Sequence, residues 1–222
     1  MDIGPDLPTW TNRPRPPRTD MVGRWSSVVP LEPSRHASAL FDADSEGRDE
    51  RWTYLFQGPF NDFDAYLGWM NATCLGEDPR FHTILDAAGN PVGIASYLRI
   101  DPANGSIEVG NINYTSRLQR TPAATEAMYL MLRRAFDELG YRRYEWKCDA
   151  LNAPSRRAAL RLGFTFEGIF RQHMIYKGRN RDTAWFSIID TEWPALRTRF
   201  ERWLSPENFN AAGTQRSPLV SD

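Results

Sequence analysis

The stretch Tyr114–Phe136, YTSRLQRTPAATEAMYLMLRRAF, decides the fold. Thr121 is a residue type that caps helices, and Pro122 suits a first helical position, where its missing N–H is no loss. Met128, Leu132, Phe136 and Leu139 then recur on one helical face until Gly140 stops the helix. The preceding SIEVGNINY, 106–114, reads as a strand. A strand that enters a helix whose first turn is Pro-Ala-Ala-Thr is suited to hold an anion. First-turn N–H groups point outward, the helix dipole adds positive charge, and small side chains admit a phosphate. Arg117 and Arg120 add full charges nearby. The same residues also suit a plain capped helix start in which Ala123 and Ala124 are only good helix formers.

Outward from this helix, the pattern gives a single α+β domain. RWSSVVPLEP reads as a first strand and SRHASALFDA as a short helix with Ser34 as its cap. RWTYLFQGPF reads as an aromatic loop around Gly58-Pro59, and Asn61 is expected to cap DFDAYLGWMNAT. RFHTILD, PVGIASYLRI and SIEVGNINY form a three-strand meander. After the long helix come the strand YRRYEWKCD and the helix NAPSRRAALRLG, which starts near Asn152 and stops at Gly163. A hairpin follows, expected to turn at Gly178-Arg179-Asn180, and EWPALRTRFERWL closes the order as an amphipathic helix. Residues 1–22 read as an extended Pro/Arg-rich arm, 23–204 as the domain, and 205–222 as a polar tail.

Composition narrows the function classes. With 222 residues the chain has room for one good core. Its 27 basic and 28 acidic residues leave a net charge of −1, which argues against a nucleic-acid binder. No apolar run reaches the length of a bilayer span, and the N-terminus has no signal-like apolar core. Cys74, Cys148, His36, His82 and His173 show no metal-ligand spacing. A soluble cytoplasmic protein with free thiols, no metal and no membrane or nucleic-acid partner is the expectation.

The run QRTPAA, 119–124, resembles the pyrophosphate loop of the GNAT acyl-CoA N-acyltransferase superfamily, and the order of elements from Gly23 to Leu204 is similar to that fold. IEVGNINY, PAATEAMYLML, ALNAPSRRAALRLGF and FEGIFRQHMIYKGRNRDTAWFSI look like its branch of ribosomal-protein N-terminal acetyltransferases. The resemblance implies a mixed, largely antiparallel sheet flanked by helices. It implies acetyl-CoA as acyl donor, an amine acceptor and a possible homodimer. Its pyrophosphate would be wrapped by Gln119, Arg120, Thr121, Ala123, Ala124 and Thr125. Pro122 stands where the family usually has glycine and donates no N–H, so the grip on phosphate must be rearranged.

The resemblance also implies roles for single residues. Glu108 would draw the proton from the amine, and Gly110 beside it suits a bulge that opens the strand. Glu108 equally suits the solvated face of a strand. Asn152 would hold the pantetheine arm, although asparagine at that position is also an ordinary helix cap. Ser155 would donate a proton to the leaving thiolate. Tyr54, Phe56 and Tyr97 are candidates for the acceptor wall among aromatics that also suit a core, and His173 reads better as structural than catalytic. Arg99, Arg171 and Lys177 suit either a substrate carboxylate or phosphate, or a solvated hairpin face. Two function classes remain: an enzyme transferring acetyl directly to an amine, and a non-catalytic acyl-CoA-binding or interaction module of the same fold.

Overall fold

A computed structural model of the chain describes residues 3–45, 49–211 and 213–219. They form one mixed sheet in the order β1-β2-β3-β4-β5-β6-β8-β7. The strands are β1 (Met21–Val22), β2 (Ser26–Pro30), β3 (Arg80–Asp86), β4 (Pro91–Asp101), β5 (Ser106–Tyr114), β6 (Arg143–Asp149), β7 (Thr165–Tyr176) and β8 (Arg179–Ile189). Helices α1 (Pro33–Ser45), α2 (Phe63–Thr73), α3 (Pro122–Arg133), α4 (Ala153–Arg161) and α5 (Trp193–Leu204) flank it. Every strand pair is antiparallel except β5 and β6, which α3 joins in parallel. The expected α+β single-domain fold is the observed one, and no described helix is long and apolar enough to cross a membrane.

Alternation along β4 sends neighbouring residues to different sides of the sheet. Ile94 joins a cluster with Trp52, Tyr66, Met70 and Phe81 under α1 and α2, whereas Ala95 joins the main core with α3 and α5. A buried carboxylate ties that main core to the sheet. Glu126 on α3, 5% exposed, accepts hydrogen bonds from the backbone N–H groups of Arg24, Trp25 and Ser26 at 2.6–2.9 Å. Those donors occupy the backbone leading into β2, so helix and sheet are clasped where the domain begins.

Several local expectations are corrected. Ser34 lies inside α1, whose entry is instead held by Glu32 N–H donating to His36 Nδ1. Asp62, not Asn61, caps α2 through a bond from the Ala65 N–H. The hairpin turns one step earlier than expected, at Lys177–Gly178, both at positive φ, as a two-residue hairpin loop requires. The long helix ends in a π-helical turn, Arg134–Glu138, before Gly140.

Residues 3–9 of the arm are exposed, but the rest of it and the tail dock on the domain; residues 1, 2, 212 and 220–222 lie outside the described residues. Met21 of the arm pairs with Val28, and the Trp10 indole N–H donates to Ala103 O at 2.7 Å beneath the Arg13 guanidinium. Arg134 holds the carbonyls of Thr19 and Asp20. In the tail, Phe209 packs edge-on against Trp25 and Trp203, and Leu219 is buried. Boundaries at 22 and 204 therefore do not coincide with breaks in packing.

Glu126→Ala leaves several buried donors without an acceptor, and is expected to lower the unfolding free energy by about 3 kcal/mol. Urea denaturation measures this, and a loss below about 1 kcal/mol would show the clasp to be unimportant.

Candidate active site

Pairing between the parallel strands β5 and β6 runs from Ser106–Arg143 to Val109–Trp146 and stops there. Beyond that point β5 continues to Tyr114 bonded only to β4, and β6 continues to Asp149 bonded only to β8. A bulge accompanies the parting: Ala95 of β4 faces both Asn111 and Ile112. Asn111 has φ 50°, a region asparagine tolerates better than most residues, and its Nδ2 donates to Ser96 Oγ at 2.9 Å. The extra residue thus sits one position past Gly110. Gly110 has its own reason to lack a side chain, because a Cβ there would come within 2.9 Å of Leu98.

A cleft opens at this parting, and it gathers Tyr54, Phe56, Glu108, Asn152 and Ser155 from three separate segments. Tyr97 is not among them. It is fully buried, and its hydroxyl donates to Met131 O at 2.7 Å, because alternation on β4 turns it into the main core. It cannot touch an acceptor.

Glu108 is 3% exposed and doubly paired. Its oxygens accept from Arg99 Nη1 at 2.8 and 2.9 Å and from Lys147 Nζ at 2.9 Å. Lys147 also pairs with Glu145 and lies 3.8 Å from the Trp185 ring centroid. Arg99 is therefore a partner of Glu108. Lys177 donates to the carbonyls of Trp52 and Gly58, fastening the hairpin turn to the aromatic loop, and Arg171 is exposed.

Asn152 caps α4, its Oδ1 accepting from Ser155 N–H at 3.1 Å, and Pro154 completes a regular first turn. The Ser155 hydroxyl accepts from Trp146 Nε1 at 2.9 Å. Burial pushes the Cys148 thiol up, so it remains protonated and a poor nucleophile. Tyr54 donates to Leu151 O at 3.2 Å, and Phe56 meets Tyr176 edge-on at 5.7 Å.

The segment 119–125 forms no wall of the cleft. Gln119 is engaged twice, through its backbone N–H to Thr115 O and its Nε2 to Tyr114 O. Thr121 caps α3 as expected, accepting from Ala124 N–H at 3.3 Å. The Thr125 N–H falls to the first intrahelical bond, and its hydroxyl is buried against Arg161 Nη1 at 3.1 Å. Within this segment, the N–H groups of Arg120 and Ala123 have no partner among the described residues. The donor set for an anion is therefore narrower than the sequence suggests, and it fits a phosphate at Arg120–Ala123 with Pro122 shaping the turn.

Arg181, which the sequence reading passed over, also lines the cleft, as does His173, which it read as structural. Arg181 is 7% exposed and donates from Nε to Thr183 Oγ1 at 3.2 Å. Thr183 Oγ1 in turn lies 2.9 Å from His173 Nδ1. A hydroxyl has one proton and two lone pairs, so Thr183 can accept from Arg181 and donate to His173 at once; in that arrangement Nδ1 is the acceptor and Nε2–H the ring's remaining donor. Burial, then the charge of Arg181, holds His173 below its ordinary value of 6.5, so the ring is neutral at pH 7. Only the hairpin register could have shown this, since residues 171–173 face the single residue Asp182.

The acetyltransferase (GNAT) domain matches residues 28–165, which span most of the sheet and both helix starts. The chain belongs to the GNAT acetyltransferase family. As a member it is an acyltransferase that draws on acetyl-CoA. Its structure is similar to that of a GCN5-related N-acetyltransferase from Brucella melitensis, with 49% identity, a TM-score of 0.94, and coverage of 96% of this chain and 97% of that one. A GNAT-family acetyltransferase from Chromobacterium violaceum ATCC 12472 is 41% identical, with a TM-score of 0.82 over 87% of this chain and 98% of its own. The uncharacterized N-acetyltransferase p20 of Bacillus licheniformis is 29% identical over 121 residues, which are 53% of this chain and 66% of p20.

The hydrogen-bond chain makes an NMR prediction. Nitrogen shifts of His173 should report the neutral Nε2–H tautomer at pH 7 and a titration midpoint below 6.5, and Arg181→Gln should move that midpoint upward. An Nδ1–H tautomer would contradict the arrangement.

Proposed function

We propose that this GNAT acetyltransferase moves an acetyl group directly to a primary amine, on a small molecule or a protein N-terminus, without a covalent enzyme intermediate. The observation that carries the reading is the parting of β5 and β6 beside Glu108 and Ser155. Facing strand edges with unpaired backbone groups suit an extended, amide-bearing arm, which can complete the hydrogen bonding that the strands lack. The α4 helix supports the same placement. Ser155 lies at its cleft end and Arg161 reaches Thr125 at the other, roughly 9 Å along the axis at 1.5 Å per residue. Phosphate at Arg120–Ala123 and thioester beside Ser155 would thus lie toward opposite ends of α4, with Asn152 at the cleft end to bond the pantetheine arm.

The acyl donor, once bound, supplies the activated carbonyl; the chain's own residues handle protons and position. Glu108 takes the amine proton through a water. Ser155 holds a proton for the departing sulfur, and the bond it accepts from Trp146 makes it a better donor. The protonated Cys148 supports direct transfer over an acyl-enzyme. Tyr54 and Phe56 form the apolar wall for the acceptor, on a loop fastened at Leu151 and Lys177. The motif resemblance favours the branch that acetylates N-termini of ribosomal proteins. A second reading has a specific observation behind it: because Glu108 is doubly ion-paired, deprotonation by solvent with catalysis mainly by positioning is the competing mechanism.

Thiol release from acetyl-CoA over a panel of amines tests the reaction, and a failure of every amine to give release would favour a binding module. Glu108→Gln should lower kcat by roughly 10²-fold with the Kd for acetyl-CoA little changed. Ser155→Ala should act likewise. Near-wild-type rates for both variants from about pH 6 to 9 would select the positioning mechanism.

The phosphate site makes a separate prediction. Ala124→Glu adds bulk and like charge beside the Ala123 N–H, so the rise in Tm on adding CoA should vanish. An undiminished rise would place the phosphates elsewhere.

A further inference from the structure

Most charged groups facing the cleft are matched by partners within it. Glu108 holds Arg99 and Lys147, and Arg51 pairs with Asp44 at 3.2 Å. Asp149 accepts from the Tyr176 hydroxyl and the Leu151 N–H, each at 2.8 Å. Arg181 is the exception. The residue is 7% exposed, and its guanidinium forms no ion pair among the described residues and uses one nitrogen, Nε, on a neutral threonine. Both Nη groups are left without a protein acceptor among those residues, although they belong to a residue that lines the cleft.

A cation withdrawn from water without a counter-charge is costly, and such groups are ordinarily paired. The chain holds this one in place with care. The guanidinium lies 5.5 Å from the Phe56 ring centroid and 5.7 Å from that of Tyr176, packed beside two rings that also contact each other. Its Nε donates to Thr183 Oγ1, and the same hydroxyl lies 2.9 Å from His173 Nδ1. Arg181 and His173 therefore share one hydroxyl and line the cleft together with Phe56 of the aromatic loop, whereas the phosphate segment contributes nothing to this cavity.

We propose that Arg181, with His173 beside it, binds an oxyanion on the acceptor, so that the substrate is an amine that also bears a carboxylate or phosphate. The inference rests on the reading of this cleft as the acceptor site and specifies its substrate class. Planar guanidinium forks match carboxylate and phosphate oxygens two at a time, and Phe56 beside the fork suits the carbon skeleton between anion and amine. The bound anion would also supply the charge that Arg181 lacks.

Matched acceptor pairs test this: an α-amino acid against its amide, and an aminoalkyl phosphate against the parent amino alcohol, each with acetyl-CoA. The expected result is a kcat/KM at least tenfold higher for the anionic member of one or both pairs, which also tells carboxylate from phosphate. Arg181→Gln should lower kcat/KM for that member by 30-fold or more, chiefly through KM, and change the neutral member less than threefold. Arg181→Lys, which keeps charge without the fork, should fall between the two and serves if the glutamine variant does not fold. A wild type indifferent to the anion, or a folded variant that loses both members alike, would overturn the proposal. Calorimetric binding of the same compounds in the presence of CoA separates it from the transfer reaction. Anion-dependent binding lost in Arg181→Gln, with no amine acetylated, would remove the transfer reading and leave this one standing; no anion-dependent binding would remove this one alone.

Discussion

The sheet of this acetyltransferase stops being continuous at Val109 and Trp146, and everything at the candidate site follows from that break. Parallel neighbours that part expose backbone N–H and C=O groups that must find partners, and the space between them is bounded on both sides by strands still anchored elsewhere. Here β4 holds one side through the Asn111 bulge and β8 holds the other through pairing that runs to Asp149. The opening is therefore built into a rigid frame. Because α3 and α4 each start just beyond the end of one of the parting strands, their N-termini and caps arrive at the same edge of the sheet.

Charge is organised around the same break. An alternating run of Arg99, Glu108, Lys147, Glu145, Arg143 and Glu167 crosses β4, β5, β6 and β7. Hydrogen bonds from Arg143 hold Glu167 down to about 2. Such a run is stable because each buried member has a neighbour of opposite sign, and removing one leaves another uncompensated. Glu108 belongs to this run as much as to the cleft, which makes its structural and chemical roles inseparable by inspection. Arg181 stands outside the run, and that isolation gives it meaning as a ligand-facing group.

The ends of the chain reinforce the frame. Trp10 and Arg13 close over the turn between β4 and β5, while Phe209 and Leu219 extend the core below α5. Proline-rich and polar composition described these segments fairly, yet a few aromatic and apolar residues are enough to dock them.

Sequence alone determined the order of elements, because hydrophobic periodicity and capping residues act over a few positions. Thr121, Pro122, Asn152 and the strand 106–114 all stand where local chemistry puts them. It also named Glu108, Asn152, Ser155, Tyr54 and Phe56, which the fold brings to one cleft from distant positions. What it could not determine depends on register and on which face a side chain takes. Tyr97 looked like an acceptor contact and is core, because alternation in β4 relative to its neighbours is a property of the assembled sheet. Arg99 and Lys177 looked free and are occupied by partners 9 and 119 or more residues away. Arg181 and His173 became a pair only through an irregular hairpin register, since hydrogen-bond partners and lost solvent exist nowhere but in the folded chain.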